Sequence, residues 1–86
     1  MSLNTYRDEA GRFLEAILAS DEPAEAKIAI LEHELAALKA NLHDNTTVSH
    51  QVYDLLFILF EIAAQYNIDL DSEWLSGQMR KKAKYL

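Results

Sequence analysis

The sequence predicts an all-α chain, a four-helix protomer whose helical bundle is completed by homodimerisation. Helix breakers are scarce, with Gly only at 11 and 77 and Pro only at 23. Apolar residues recur at helical spacing along almost the whole length. The chain has 86 residues, half of them hydrophobic, which makes one small domain whose lone core is marginal. It has no Cys, so disulfides and thiolate metal sites are excluded, and self-association is the simplest remaining support.

The first helix is expected from about Asn4 to Ala19, where Tyr6, Ala10, Phe13 and Ile17 fall at three- and four-residue steps, flanked by Leu14 and Leu18. Ser20-Asp21-Glu22-Pro23 then breaks and restarts the chain, with Pro in a first turn where its missing N–H costs nothing. The second helix, about Pro23 to Leu42, carries the heptad stripe Ala24, Ile28, Leu31, Leu35, Leu38, Leu42. Alternating steps of four and three suit near-parallel packing in bundles. His43 to Thr47 is a loop. The third helix, about Val48 to Tyr66, repeats the heptad as Val48, Val52, Leu55, Leu59, Ile62, Tyr66.

That third helix also carries Tyr53, Leu56, Phe57, Phe60 and Ala63, and is apolar around more than half its circumference. Such a helix needs cover on several sides, more than two neighbours in one small chain provide. After an Asn67-Ile68-Asp69 turn, Asp69 or Asp71 caps a last helix that runs through Trp74, Leu75 and Met79 to about Lys84. The two long helices are expected to pair antiparallel, and a second copy to complete the bundle through them.

Net charge is −6, from 14 acidic and 8 basic residues. This repels a phosphate backbone and argues against DNA or RNA as partner. Half of the cations, Arg80, Lys81, Lys82 and Lys84, crowd the end of the last helix, where they suit the helix dipole. The start of the sequence has no apolar core of signal-peptide type. The longest strongly apolar run is LLFILF, residues 55 to 60, against roughly 18 residues for a membrane span. The reading is a soluble, cytoplasmic protein with no membrane partner.

Candidate chemistry lies on the polar stripe of the third helix. Gln51, Asp54, Ile58, Glu61 and Gln65 share about an 80° sector at 100° per residue. The plain explanation is a solvated stripe, in which Asp54 and Glu61 need no burial. The functional explanation is that Gln51 and Asp54, three apart, converge on one point. Across an antiparallel pair Asp54 would face Glu34, which lies at the edge of the second helix's apolar stripe. Two carboxylates from facing helices begin an oxygen-ligated Mg²⁺ site, which keeps waters for its remaining positions. His33, His43 and His50 have no HxxH or HxxxH pairing and are read as surface residues.

The stretch from about Leu31 to Leu86, with HELAAL, then QVYDLLFILFEIAAQYNIDL, then RKKAKYL, resembles the MazG-like nucleotide pyrophosphohydrolases. That resemblance covers about two-thirds of the chain. It implies an all-α, usually dimeric fold that hydrolyses nucleoside triphosphates to monophosphate and pyrophosphate with Mg²⁺. Carried over by position, Glu34 and Asp54 are implied as metal ligands. Gln51, where the family's ExxD motif has Glu, is implied to orient a metal-bound water. Arg80 and Lys84 are implied phosphate contacts. Ile30 and Leu31 occupy positions where the family has acids, and Gly77 falls near an expected Asn. The acidic set is therefore depleted, which points to a weak or specialised hydrolase or a nucleotide-binding relative without turnover. Two other classes fit the patterning: a small helical interaction or structural protein without catalysis, and one half of a hetero-oligomer.

Overall fold

The structure is a computed structural model that describes residues 2–86. It has four helices in chain order: α1 (Leu3–Ala16), α2 (Ala24–Ala40), α3 (Asn45–Gln65) and α4 (Leu70–Tyr85). Among the described residues there is no strand, as the scarcity of breakers predicts.

Local chemistry sets where each helix starts. Ser2 caps α1 through its hydroxyl, which accepts from the Thr5 N–H at 3.3 Å. Pro23 is itself the cap of α2 rather than its first helical residue, with ψ 150° and no side-chain cap bond. α3 begins at Asn45 rather than Val48, because Asp44 accepts from the Thr46 N–H at 3.2 Å and from the Thr47 hydroxyl at 2.8 Å. The Thr47 bonds hold the Asp44 carboxyl below its usual range. Asp69 caps α4 by accepting from the Ser72 N–H at 3.0 Å. Asp71 instead receives the Leu3 N–H at 2.8 Å.

Two helices end in the same way. α1 stops at Ala16, short of the expected Ala19, because Leu18 turns into the left-handed region at φ 58°. The Ala19 N–H then reaches the Leu14 carbonyl at 2.8 Å, and the Leu18 N–H reaches that of Glu15 at 3.1 Å. These are the two bonds of a Schellman stop. α3 repeats it with Asn67 at φ 51°, the Ile68 N–H reaching Ala63 and the Asn67 N–H reaching Ala64. Asn tolerates this conformation, whereas a leucine is strained in it.

α3 is the centre of the packing, with α1 and α2 on its flanks and α4 against α1. Contact with α1 is close at Gly11, where an added Cβ would stand 3.2 Å from the Ala64 Cβ. Ala10, Leu14 and Ala63 are buried around that point. Tyr6 lies on Phe60 and Phe13 edge-on to Phe57, at 5.8 and 5.4 Å between ring centres. A clasp fixes the start of α4 to α1. The Asn4 amide donates to Asp69 at 3.0 Å and accepts from the Leu70 N–H at 2.8 Å, while Arg7 donates to the Ile68 carbonyl at 2.8 Å.

The heptad stripes of the two long helices, expected to carry bundle packing and the dimer, are covered only in part: Leu31, Leu38, Val48, Leu55 and Ile62 are half-buried. Ile28 and Leu35 of α2 and Val52 and Leu59 of α3 are exposed, as are Leu42 and Tyr66 just beyond the helix ends. α3 turns Phe57, Phe60 and Ala64 to α1 and its polar stripe towards α2: Ile58 and Glu61 are buried, Gln51 and Gln65 half-buried and Asp54 exposed. The solvated-stripe explanation is thereby corrected for Glu61, which retains 9 % of its exposure. Partners explain the placement of the stripe, since α2 and the turn before it offer backbone carbonyls and a lysine to these polar groups.

The consequence is an open, apolar exterior. The radius of gyration is 14.6 Å, against about 12 Å for a compact chain of this length. The accessible surface is 6485 Å², where a compact monomer of this mass exposes about 5200 Å².

Leu18 is 93 % exposed, so truncating its side chain forfeits no packing. Leu18→Gly should therefore raise stability by about 1 kcal/mol, the left-handed strain removed less the added freedom of the unfolded chain. Urea unfolding measures this. Unchanged or lower stability would mean that the Leu18 conformation carries no strain.

Candidate functional site

α2 and α3 run antiparallel, as three cross-helix pairings show. Near one end the Gln65 amide donates to the Glu22 carbonyl at 2.6 Å. In the middle Lys27 acts electrostatically on Glu61. Towards the other end Gln51, with its amide nitrogen oriented to α2, donates to the Glu34 carbonyl at 3.1 Å and to Glu34 Oε2 at 2.7 Å. Glu34 was expected to face Asp54; its direct bond is to Gln51, and Asp54 lines the same cleft.

Beside this pairing a cleft of about 590 Å³ opens between α1, α2 and α3. Four carboxylates line it: Glu9 from α1, Glu34 from α2, and Asp54 and Glu61 from α3. Phe13, Ile30, Tyr53, Phe57 and Ile58 supply its apolar walls. Ile30 stands where the family pattern would place an acid, so the α2 wall carries one carboxylate instead of several. Glu32, the other acid near this face, lines a separate concavity with Ile28 and Ile62. The three histidines are exposed, as expected.

The electrostatics of the cleft are uneven. Burial pushes the Glu61 carboxyl above its ordinary value; Lys27 opposes this and Glu22 adds to it. Lys27 retains only 3 % exposure, and its Nζ has no hydrogen-bond partner among the described residues. A buried ammonium of this kind is costly unless a carboxylate offsets it, and Glu61 is the group placed to do so. Asp54 is exposed at the mouth.

The sequence-expected residues therefore divide. Glu34, Gln51 and Asp54 come together. Arg80 and Lys84 do not join them, since none of the cleft's lining residues comes from α4. Arg80 lies 3.9 Å from Glu73 on its own helix, and Lys84 Nζ sits 5.3 Å over the ring of Tyr85. Lys27 and Glu9 are additions that the sequence reading missed. Lys27 had a signal, because at seven residues before Glu34 it shares that residue's helix face. Glu9 had none, because only the crossing of α1 over α3 brings it to the cleft.

As a test of fit to Mg²⁺, the donors are of the right kind, hard carboxylate oxygens on facing helices. Mg²⁺ is held by one or two such carboxylates together with waters and substrate phosphates. Among the described residues, no three acidic or imidazole side chains are gathered tightly enough to enclose an ion by themselves. The cleft thus suits an ion that arrives with further oxygen ligands. No helix is long and apolar enough to cross a membrane among the described residues. Comparison with family models, curated proteins and solved structures finds no match to the chain.

A pH dependence follows from Glu61. Its native proton affinity is raised, so the native state binds the proton more tightly than the unfolded chain does. Stability is therefore greatest below the ordinary glutamate pKa and declines as pH rises through the raised native value. Glu61→Gln should lack this decline. Urea midpoints of both proteins between about pH 4 and pH 8 test it, and parallel profiles would reject the assignment.

Proposed function

We propose that the chain is a MazG-like, nucleotide-handling homodimer that takes up a nucleoside triphosphate as its Mg²⁺ complex in the acidic cleft, with weak pyrophosphohydrolase turnover or none. The observation that carries the reading is that Glu34 and Asp54, from two antiparallel helices, line one open cleft, with Gln51 bonded to Glu34. A triphosphate alone is repelled by four carboxylates, so the cleft accepts it only with a cation.

Glu34 and Asp54 are the residues that would hold Mg²⁺, whose chemistry is the neutralisation of charge developing on phosphoryl oxygens. Gln51 fixes the Glu34 carboxylate with its amide nitrogen and leaves its amide oxygen to orient a water. The apolar walls Phe13, Tyr53 and Phe57 offer a flat contact for a base. The phosphate roles of Arg80 and Lys84 rest on the resemblance alone.

Homodimerisation is supported by the surplus surface. The chain exposes about 1300 Å² more than a compact monomer of its mass, and an obligate dimer buries about 1000 to 2500 Å² on each partner. Exposed heptad residues such as Ile28, Leu35, Val52 and Leu59 are part of that area, together with apolar residues of α4. The same face favours a second reading, a helical interaction module without catalysis, which shares the dimer but not the ligand.

Triphosphates with and without Mg²⁺ separate the two readings in a thermal-shift titration. Ligand at 100 times its dissociation constant adds about 2.7 kcal/mol, several degrees in a domain this small. The shift should require Mg²⁺ and vanish in Asp54→Ala; indifference to every nucleotide would leave the interaction module. Light scattering addresses the dimer independently. The chain should run at twice its 9.8 kDa, and Leu59→Lys, on the exposed α3 stripe, should run as monomer. A monomeric parent chain would dispose of the dimer.

A further inference from the structure

α4 is anchored at one end only. The clasp with α1 holds its first turn and Trp74 reaches the neighbouring helices, but none of its 16 residues is buried. From Leu75 onward every residue except the half-buried Gly77 is exposed. A helix of this length is marginal in water unless an apolar face is covered. Its own protomer uses the face of Leu70 and Gly77. On the opposite face Leu75, Met79, Lys82 and Leu86 recur at steps of four, three and four, a single helical stripe. Leu86 is 98 % exposed and Met79 66 %.

A receptor for such a stripe exists on the same molecule. An apolar groove of about 560 Å³ runs between α1 and α3, walled by Tyr6, Leu56 and Phe60 and closed at one side by Trp74. Glu9, Tyr53 and Phe57 line both this groove and the acidic cleft, so the groove opens directly onto the carboxylates. α4 cannot fill the groove of its own chain with its outward stripe, because that stripe faces away from the protomer.

We infer that a second copy of this chain lays the Leu75–Met79–Leu86 stripe of its α4 into the groove, and that the partner's Lys82 thereby meets Glu9 at the edge of the acidic cleft. The inference rests on the homodimer reading and deepens it, since each cleft is completed by a cation from the other chain. Charge complementarity selects the occupant. The end of α4 holds half of the chain's cations, and the cleft holds four of its carboxylates. Two-fold symmetry uses each arm and each groove once, which closes the assembly. Lys82, on the apolar stripe, is the cation delivered. Arg80 lies about 160° round the helix from it and faces away.

The absence of Cys makes a direct test possible in the full chain. A tagged Lys82→Cys chain is mixed with an untagged Glu9→Cys chain and oxidised. The expected product is a disulfide-linked pair of twice the monomer mass, with little from Arg80→Cys in the same pairing. In a second measurement Lys82→Glu should lower the dimer fraction, and Glu9→Lys in the same chain should restore it. A dimeric parent chain that gives no link from Lys82→Cys, or equal linking from Arg80→Cys, overturns this docking and leaves the dimer standing. A monomeric parent chain overturns both.

Discussion

The protomer is organised by a shortage of cover for α3. That helix is apolar round more than half its circumference, yet it has only α1 and α2 beside it. Whichever side meets those two helices, another apolar side is left out. Towards α1 the helix turns Phe57, Phe60 and Ala64, and towards α2 it turns polar groups that find bonds there. The Glu34 and Glu22 carbonyls accept from Gln51 and Gln65, and Lys27 stands by Glu61. Apolar side chains have no such directional demand and can await any apolar surface.

This arrangement gives the interior an unusual electrostatic character. Lys27 and Glu61 are both buried with no ion-pair contact between them, and burial outweighs the lysine in setting the proton affinity of the carboxyl. Replacing such a pair by apolar residues is often neutral or stabilising, while removing one member is strongly destabilising. Stability alone therefore gives little reason for the pair. Its position behind the cleft gives a better one, since Glu61 is both the floor of the acidic site and the partner of Lys27.

The acidic cleft and the apolar exterior belong to one design. Glu9, Tyr53 and Phe57 bound the cleft on one side and the groove beside it on the other. Any surface that covers the groove therefore changes the field and the water content of the cleft. In the dimeric, nucleotide-handling reading, association and ligand binding are coupled through these three residues rather than through a change of fold.

By itself the sequence determined the helices. Scarce breakers and helical periodicity placed all four, and the nearness of Glu34 to Gln51 and Asp54 followed from i, i+3 geometry and antiparallel packing. Helix ends were less legible. Asp44 and Pro23 moved the starts because capping depends on which oxygen reaches which N–H, and α1 stopped early because Leu18 adopts a left-handed turn with no glycine to announce it. Tertiary structure alone decided which face is inside. Periodicity identifies a stripe but does not say how far it is covered: Leu31, Leu38 and Leu55 are half-buried, while Ile28, Leu35 and Leu59 are exposed. Glu9 entered the cleft, and Arg80 and Lys84 stayed out of it, for the same reason: the crossing of α1 and the outward reach of α4 are set by packing between distant segments, and spacing along one helix holds no record of it.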